Sequence, residues 1–289
     1  MENCCLPGIG CDYICAFERK NIAGGSELLY TPFVMTTSIK PAVFCRSTEA
    51  PVTYCEHFTP QSGNLEFLSC GEFTINAEAG TQPLAFPDEE AMLFSWKGKA
   101  TAHINGTSYE MAQYDTLYLP KGQAWSLSNS GRDTARLWLT RAPAQSVHPV
   151  FYSQFAKISH DESRIRRLSK RNVYMMLDVT EPADKLVAGY SFFEPYSRSW
   201  PPHNHTDQEE VYIFLSGRGS MEVYESPEQL TFVREVNPGD LVTIPYFNYH
   251  PVFAQEEPVV FIWCIAGARY WVGDKNKEFM KGTGGPITT

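Results

Sequence analysis

What the sequence lacks narrows it first. No uninterrupted apolar run approaches the roughly 18 residues that would carry a helix across a bilayer. The opening residues, Met1 to Gly10, have neither the charged start nor the apolar stretch of a secretory signal. These absences predict a soluble, cytoplasmic protein with no membrane partner. Positive charge is also short, since 24 Lys and Arg stand against 33 Asp and Glu, a formal net charge of −9. That balance repels nucleic acid and anionic surfaces at long range, and no nucleic-acid-binding module is evident. The most basic stretch, Arg164 to Arg171, is flanked by Asp161 and Glu162 and reads as a solvated connector. Helical periodicity is scarce, apart from a turn or two between Ser153 and Leu168. Low-complexity tracts, which would prevent packing, are missing.

Cysteine, by contrast, is present at eight positions, four of them crowded as Cys4, Cys5, Cys11 and Cys15. Their spacing, C-C-x5-C-x3-C, matches no zinc pattern, so free thiols are the expectation there and at Cys45, Cys55, Cys70 and Cys264. Strand signals dominate what remains. Thr116 to Leu119, Val211 to Leu215, Leu241 to Ile244 and Val259 to Ile265 are β-branched or aromatic runs bounded by Gly, Pro, Asn or Asp. Many short strands with frequent turns predict an all-β sandwich or barrel with few short helices.

The two halves repeat a spaced pattern. Tyr114-Asp-Thr-Leu-Tyr-Leu-Pro120 is followed five residues later by Trp125, and Gly239-Asp-Leu-Val-Thr-Ile-Pro245 five residues later by His250. Upstream, Glu90 and Gly98 loosely match Glu210 and Gly217. A repeat this long is one barrel-sized unit used twice. The expected division is an arm at 1–29, a first barrel without metal at 30–142, a linker at 143–172, and a metal-binding barrel with its tail at 173–289.

Chemistry concentrates in Trp200-Pro-Pro-His-Asn-His-Thr-Asp-Gln-Glu-Glu-Val-Tyr212, which contains H-x-H-x4-E-x6-G. On a strand, residues two apart share a face, so His203 and His205 can enter one barrel interior with Glu210, and His250 follows from a later strand. The chain has only seven histidines, and three stand at these positions. Three imidazoles and a carboxylate suit one divalent ion of Zn, Mn, Fe, Co or Ni, and ligand type alone does not choose among them; zinc is the first expectation, with manganese or iron as alternatives. Glu209 competes as the carboxylate, but alternation turns it to the opposite face.

These motifs resemble those of the cupin superfamily, with Phe247 standing where the second motif has glycine. The resemblance implies a double cupin, two jelly-roll β-barrels in one chain. Lys170-Arg-Asn-Val173, Trp200-Pro-Pro-His-Asn-His205, Asn248-Tyr-His-Pro-Val252 and Phe261-Ile-Trp-Cys-Ile-Ala-Gly267 further resemble the family of 5-deoxy-glucuronate isomerase and 5-keto-4-deoxyuronate isomerase. That resemblance implies a metal-dependent aldose–ketose isomerisation of a small acidic deoxy sugar, with a lean to 5-deoxy-glucuronate and inositol catabolism. Tyr212, then Tyr249, are the candidates for the proton-carrying group, because Tyr212 shares the inward face of Glu210. An acidic substrate needs local cations, for which Arg198 and Arg269 are the candidates. Two other readings use the same motifs: an iron-dependent cupin dioxygenase, and a sugar-binding cupin without turnover. Exposed sheet edges suggest a homo-oligomer.

Overall fold

A computed structural model describes residues 50–270 and the backbone of the short strand Ser38–Lys40. The expected arm at 1–29, the cysteines at 4, 5, 11, 15 and 45, and the tail 271–289 lie outside the described residues. Strand β1 is Ser38–Lys40. The first half then supplies β2 (Val52–Phe58), β3 (Ser69–Ile75), β4 (Glu89–Lys97), β5 (Ala100–Ile104), β6 (Thr107–Met111), β7 (Thr116–Leu119), β8 (Trp125–Ser128), β9 (Ala135–Pro143) and β10 (Phe151–Ser153). The second supplies β11 (Ile165–Leu168), β12 (Arg171–Leu177), β13 (Val187–Phe193), β14 (Gln208–Ser216), β15 (Gly219–Ser226), β16 (Gln229–Val236), β17 (Leu241–Ile244), β18 (Val252–Ala254) and β19 (Val259–Gly267). The α-helices among the described residues are single turns, α1 (Pro60–Gly63) and α2 (Phe155–Ile158).

The expected all-β double cupin is what these strands build. In the first half, the sheet β10-β7-β4-β9-β3-β2 is closed by β6-β5-β8. In the second, β1-β17-β14-β19-β13-β12-β11 is closed by β16-β15-β18. Raising the labels β7-β4-β9-β3-β2 by ten gives β17-β14-β19-β13-β12, so the repeat read from spacing is a repeat of topology.

Each large sheet is buried on both faces, which is why β14 reads as a nearly continuous apolar run rather than an alternating one. Val211, Ile213 and Leu215 join Met92, Phe94, Trp138, Tyr190 and Ile262 in a core shared by the two large sheets. Tyr212 and Phe214 turn the other way, into the second barrel, with Met175, Val242 and Phe261. The first barrel has its own interior of Phe73, Leu93, Trp125 and Leu137. Each such large apolar side chain contributes about 1.5–3 kcal/mol on burial.

Two buried carboxylates clamp the halves together reciprocally. Glu90 accepts hydrogen bonds from the backbone N–H groups of Asp184, Lys185 and Leu186, at 2.7–2.9 Å, and from the Tyr118 hydroxyl. Glu209 accepts from Glu66, Phe67 and Leu68, at 2.5–2.8 Å. Burial raises the Glu209 carboxyl above its ordinary pKa, and the three amides oppose that rise. Register agrees with this equivalence, because Glu90 pairs with Ala142 across β4 and β9 while Glu209 pairs with Ala266 across β14 and β19. Each carboxylate stands eight residues before a positive-φ glycine, Gly98 or Gly217. A Cβ on Gly217 would lie 2.0 Å from the Pro258 carbonyl oxygen, so only glycine makes this turn. The counterpart of Glu90 is therefore Glu209, one residue away from the Glu210 that the sequence pattern suggested.

The expected boundaries need redrawing. Within the span 143–172, taken as a linker, β10 pairs with β7 in the first large sheet and β11 pairs with β12 in the second. Ser38–Lys40, assigned from sequence to the first barrel, pairs with Leu241–Thr243 of the second. Thus β1 and β10 do the same work for opposite halves, covering the open edge beside β17 or β7. A three-residue strand has too few residues to show alternation, which is why neither was legible. Cys55 is disulfide-bonded, whereas Cys70 and Cys264 are free and buried, so the expectation of free thiols fails at Cys55. No helix among the described residues is long and apolar enough to cross a membrane.

Candidate metal centre

His203 and His205 lie on irregular chain just before β14 rather than on a strand. They are held in place by the later motif running beside them. The Phe247 N–H donates to the His205 carbonyl at 2.7 Å, and the His250 N–H to the His203 carbonyl at 3.3 Å. Phe247 has φ of 67°, the left-handed region where the related motif carries glycine, and its side chain is half exposed. Glu210 is the third residue of β14, with Tyr212 next along the same inward face. The sequence folds this way locally because Pro245 ends β17 and the chain turns at Tyr246 and Phe247 to bring His250 inward.

Ligand atoms from His203, His205, Glu210 and His250 all lie within 4.8 Å of one another. Glu210 Oε2 is 3.2 Å from His205 Nε2 and 3.1 Å from His250 Nε2. His205, Glu210 and His250 are buried, and His203 is partly so.

Outer partners fix which ring nitrogen faces inward. Gln208 donates its Nε2 to the carbonyls of Ala268 and Tyr270, so its Oε1 faces His205 Nδ1 at 2.9 Å and takes that proton. His250 Nδ1 donates to the Asn248 carbonyl at 2.7 Å. Both Nε2 atoms therefore turn lone pairs toward the Glu210 carboxylate, and His250 Nε2 has no hydrogen-bond alignment to it. Electron pairs and an anion that converge in a buried space require a cation among them. The donor set thus fits a divalent metal ion. Burial, followed by the neighbouring His250 and His205, pushes His203 well below the ordinary histidine range, which favours the neutral, ligating form.

Tyr212 stands at this cluster, its ring 5.7 Å from that of His250 and its hydroxyl within electrostatic reach of Glu210. Burial first, then Glu210, drives its pKa well above the ordinary value. Tyr249 is turned away. Its backbone exchanges hydrogen bonds with Tyr224, and among the described residues no side-chain contact joins it to the histidines, as alternation with the inward His250 requires.

The two arginines expected to meet an acidic substrate are engaged elsewhere. Arg269 spends its guanidinium on the carbonyls of Asp178, Glu181, Ala183 and Leu186, fastening the loop that Glu90 also grips. Arg198 pairs with Glu222 and Tyr224 and stacks 3.9 Å above Trp200. Glu222 and Tyr224 alternate with the inward Met221 and Val223, so Arg198 lies on the outer face of the barrel. A buried cation that does face the barrel is Arg171, 6% exposed at the start of β12, in the segment expected to be a solvated connector. Its alternation with Val173 and Met175 sends it inward, a signal present in the sequence once the strand start is known.

In the first barrel the positions matching Glu210 and His250 hold Ala91 and Trp125, both buried and neither able to ligate.

The fold agrees with known proteins. A ketol-isomerase of Shouchella clausii, named for 4-deoxy-L-threo-5-hexosulose-uronate, is 25% identical over 64% of this chain and 69% of its own. The protein of the same name from Pectobacterium carotovorum is 32% identical over 50% of this chain and 55% of its own. An acireductone dioxygenase of Exiguobacterium sibiricum is 25% identical over 65% of this chain and 95% of its own. Across the first four ketol-isomerases the chain spans 55–69% of the relative's length. The structure of an IolB-like protein from Salmonella typhimurium superposes with a TM-score of 0.64 at 18% identity, covering 77% of this chain and 95% of the other. The sequence profile of the KduI/IolB family matches residues 44–281. With that match running through both barrels and all four clustered ligands, the chain belongs to the KduI/IolB family.

Proposed function

We propose that this protein is a metal-dependent aldose–ketose isomerase of a deoxy-uronate, with one divalent ion, zinc first, held by His203, His205, Glu210 and His250. The observation that carries the reading is the convergence of those ligands beside the buried hydroxyl of Tyr212, inside a barrel of this family. When bound, the ion would supply Lewis acidity at the substrate's carbonyl and neighbouring hydroxyl. The chain's own contribution is orientation and proton handling. Gln208 and Asn248 lock the imidazole tautomers, so the ligands need no rearrangement as charge develops. Tyr212 is protonated at neutral pH, which suits it to hold its proton against the substrate oxygen on which negative charge develops. Phe193, Phe214 and Phe261 line the barrel behind it and keep that exchange away from bulk water.

The names of the relatives favour the 4-deoxy-5-keto uronate over 5-deoxy-glucuronate, the reverse of the order the sequence motifs suggested. Metal-loaded protein incubated with each acid, with carbonyl migration followed by NMR, tests both. Turnover of neither by metal-replete protein would end the isomerase reading. An iron-dependent dioxygenase is the second reading, favoured by the likeness to an acireductone dioxygenase over 95% of that protein. Bound iron with substrate-dependent oxygen uptake would support it. A homo-oligomer that covers the open edges at β2 and β11 is the assembly we propose, and light scattering measures it.

A further inference from the structure

We infer that Arg171 is the residue that recognises the substrate's carboxylate, a statement that rests on the isomerase reading and adds the anchor it lacked. Arg171 opens β12, where its side chain shares the barrel-facing side with Val173 and Met175. It is buried against the Phe193 ring, 5.7 Å from the guanidinium carbon. Among the described residues no carboxylate pairs with it, in contrast to Arg136, Arg141, Arg164, Arg167, Arg198 and Arg218. Among the described residues its side chain makes one hydrogen bond, from Nη1 to the Arg198 carbonyl at 2.5 Å. None of its nitrogens is both sealed from solvent and without a partner, and the strand alternation directs the side chain to the barrel-facing side. Burial lowers its pKa to about 10, which leaves it cationic at neutral pH.

A buried guanidinium without a counter-ion is costly, and structures retain one where an anion arrives to complete it. Arg171 acts electrostatically on His203 and Tyr212 and shares the barrel-facing side of its strand, so an anion at its guanidinium would lie on the same side as the metal ligands. The planar fork matches a carboxylate with two parallel N–H···O bonds. A uronate bound so would have its acid end at Arg171 and its carbonyl end toward the ligand cluster. The chain's formal charge of −9 makes such a local cation necessary for an anionic sugar.

Calorimetric titration of metal-loaded protein with D-glucuronate and with its uncharged methyl ester tests this without turnover. Wild-type protein is expected to bind the acid about ten- to a hundredfold more tightly than the ester. Arg171→Met should bring the acid down to the ester's affinity and leave the ester unchanged. Arg171→Lys, which keeps the charge but loses the fork, should retain part of the preference and serves if the methionine variant does not fold. Equal loss for acid and ester, or undiminished preference for the acid in folded Arg171→Met, overturns the assignment. Wild-type protein that discriminates through Arg171 yet isomerises neither deoxyuronate would sink the isomerase reading alone. Turnover with an Arg171-independent preference would sink the anchor alone.

Discussion

The two barrels share strand order, a positive-φ glycine, and a glutamate that grips the loop of the other half, yet one interior is sealed with apolar groups and the other is built around electron pairs. Ala91 and Trp125 occupy in the first barrel the places of Glu210 and His250 in the second. Trp125 packs against Phe73 and Phe86, filling the space with dispersion contacts. Duplication therefore separated stability from chemistry. The contacts that join the barrels were kept twice, and the site was kept once.

That comparison breaks most visibly at the ligands. Glu210→Ala should abolish stoichiometric metal by elemental analysis and lower isomerase activity by a factor on the order of 10³, whereas Trp125→His should leave the metal content unchanged. Gain of a second equivalent in the tryptophan variant would contradict the reading of the first interior. Next in size are the reciprocal clamps. Glu90→Ala and Glu209→Ala each strand three backbone N–H groups, one buried and two part-buried, and each should cost about 3–5 kcal/mol in urea unfolding. If only one of the pair matters, the equivalence of the two glutamates is wrong.

A smaller change is expected from Tyr212→Phe, which keeps the packing with Phe261 and removes the hydroxyl. Its kcat should fall about 10²-fold with metal content and unfolding midpoint unchanged. Retained turnover would remove Tyr212 from the chemistry.

The smallest effect belongs to the first half's own buried histidine. Burial, then Arg136, lowers His57 from 6.5 to about 4. Between those values the unfolded chain takes up a proton that the folded protein refuses, so this contribution to stability is complete above pH 6.5 and declines as pH falls toward 4. His57→Gln should flatten that part of the Tm-against-pH curve relative to wild type. Identical slopes would show that His57 is no more protected than in the unfolded chain.

Much of this was written in local pattern. The all-β class, the internal repeat and the four ligands were legible because strand alternation and short motif spacings are properties of neighbouring residues. The edge strands were not legible. Phe151–Ser153 is too short for alternation to register, and its pairing with β7 depends on an unfilled row of amides some thirty residues earlier. The candidate cations show the same limit. Arg198 and Arg269 stand beside motif residues in sequence, but each found an acidic or carbonyl partner in space, while Arg171 found no carboxylate.

By itself the sequence determined that this chain folds into paired barrels and which side chains meet in the second, since period-two alternation and the turn residues fix inward and outward faces. Only the tertiary structure decided which glutamate holds the halves together, which edge each short strand covers, and which arginine enters the barrel. Those outcomes depend on what lies across the fold from a residue, and a partner tens to well over a hundred positions away leaves no mark on the local pattern.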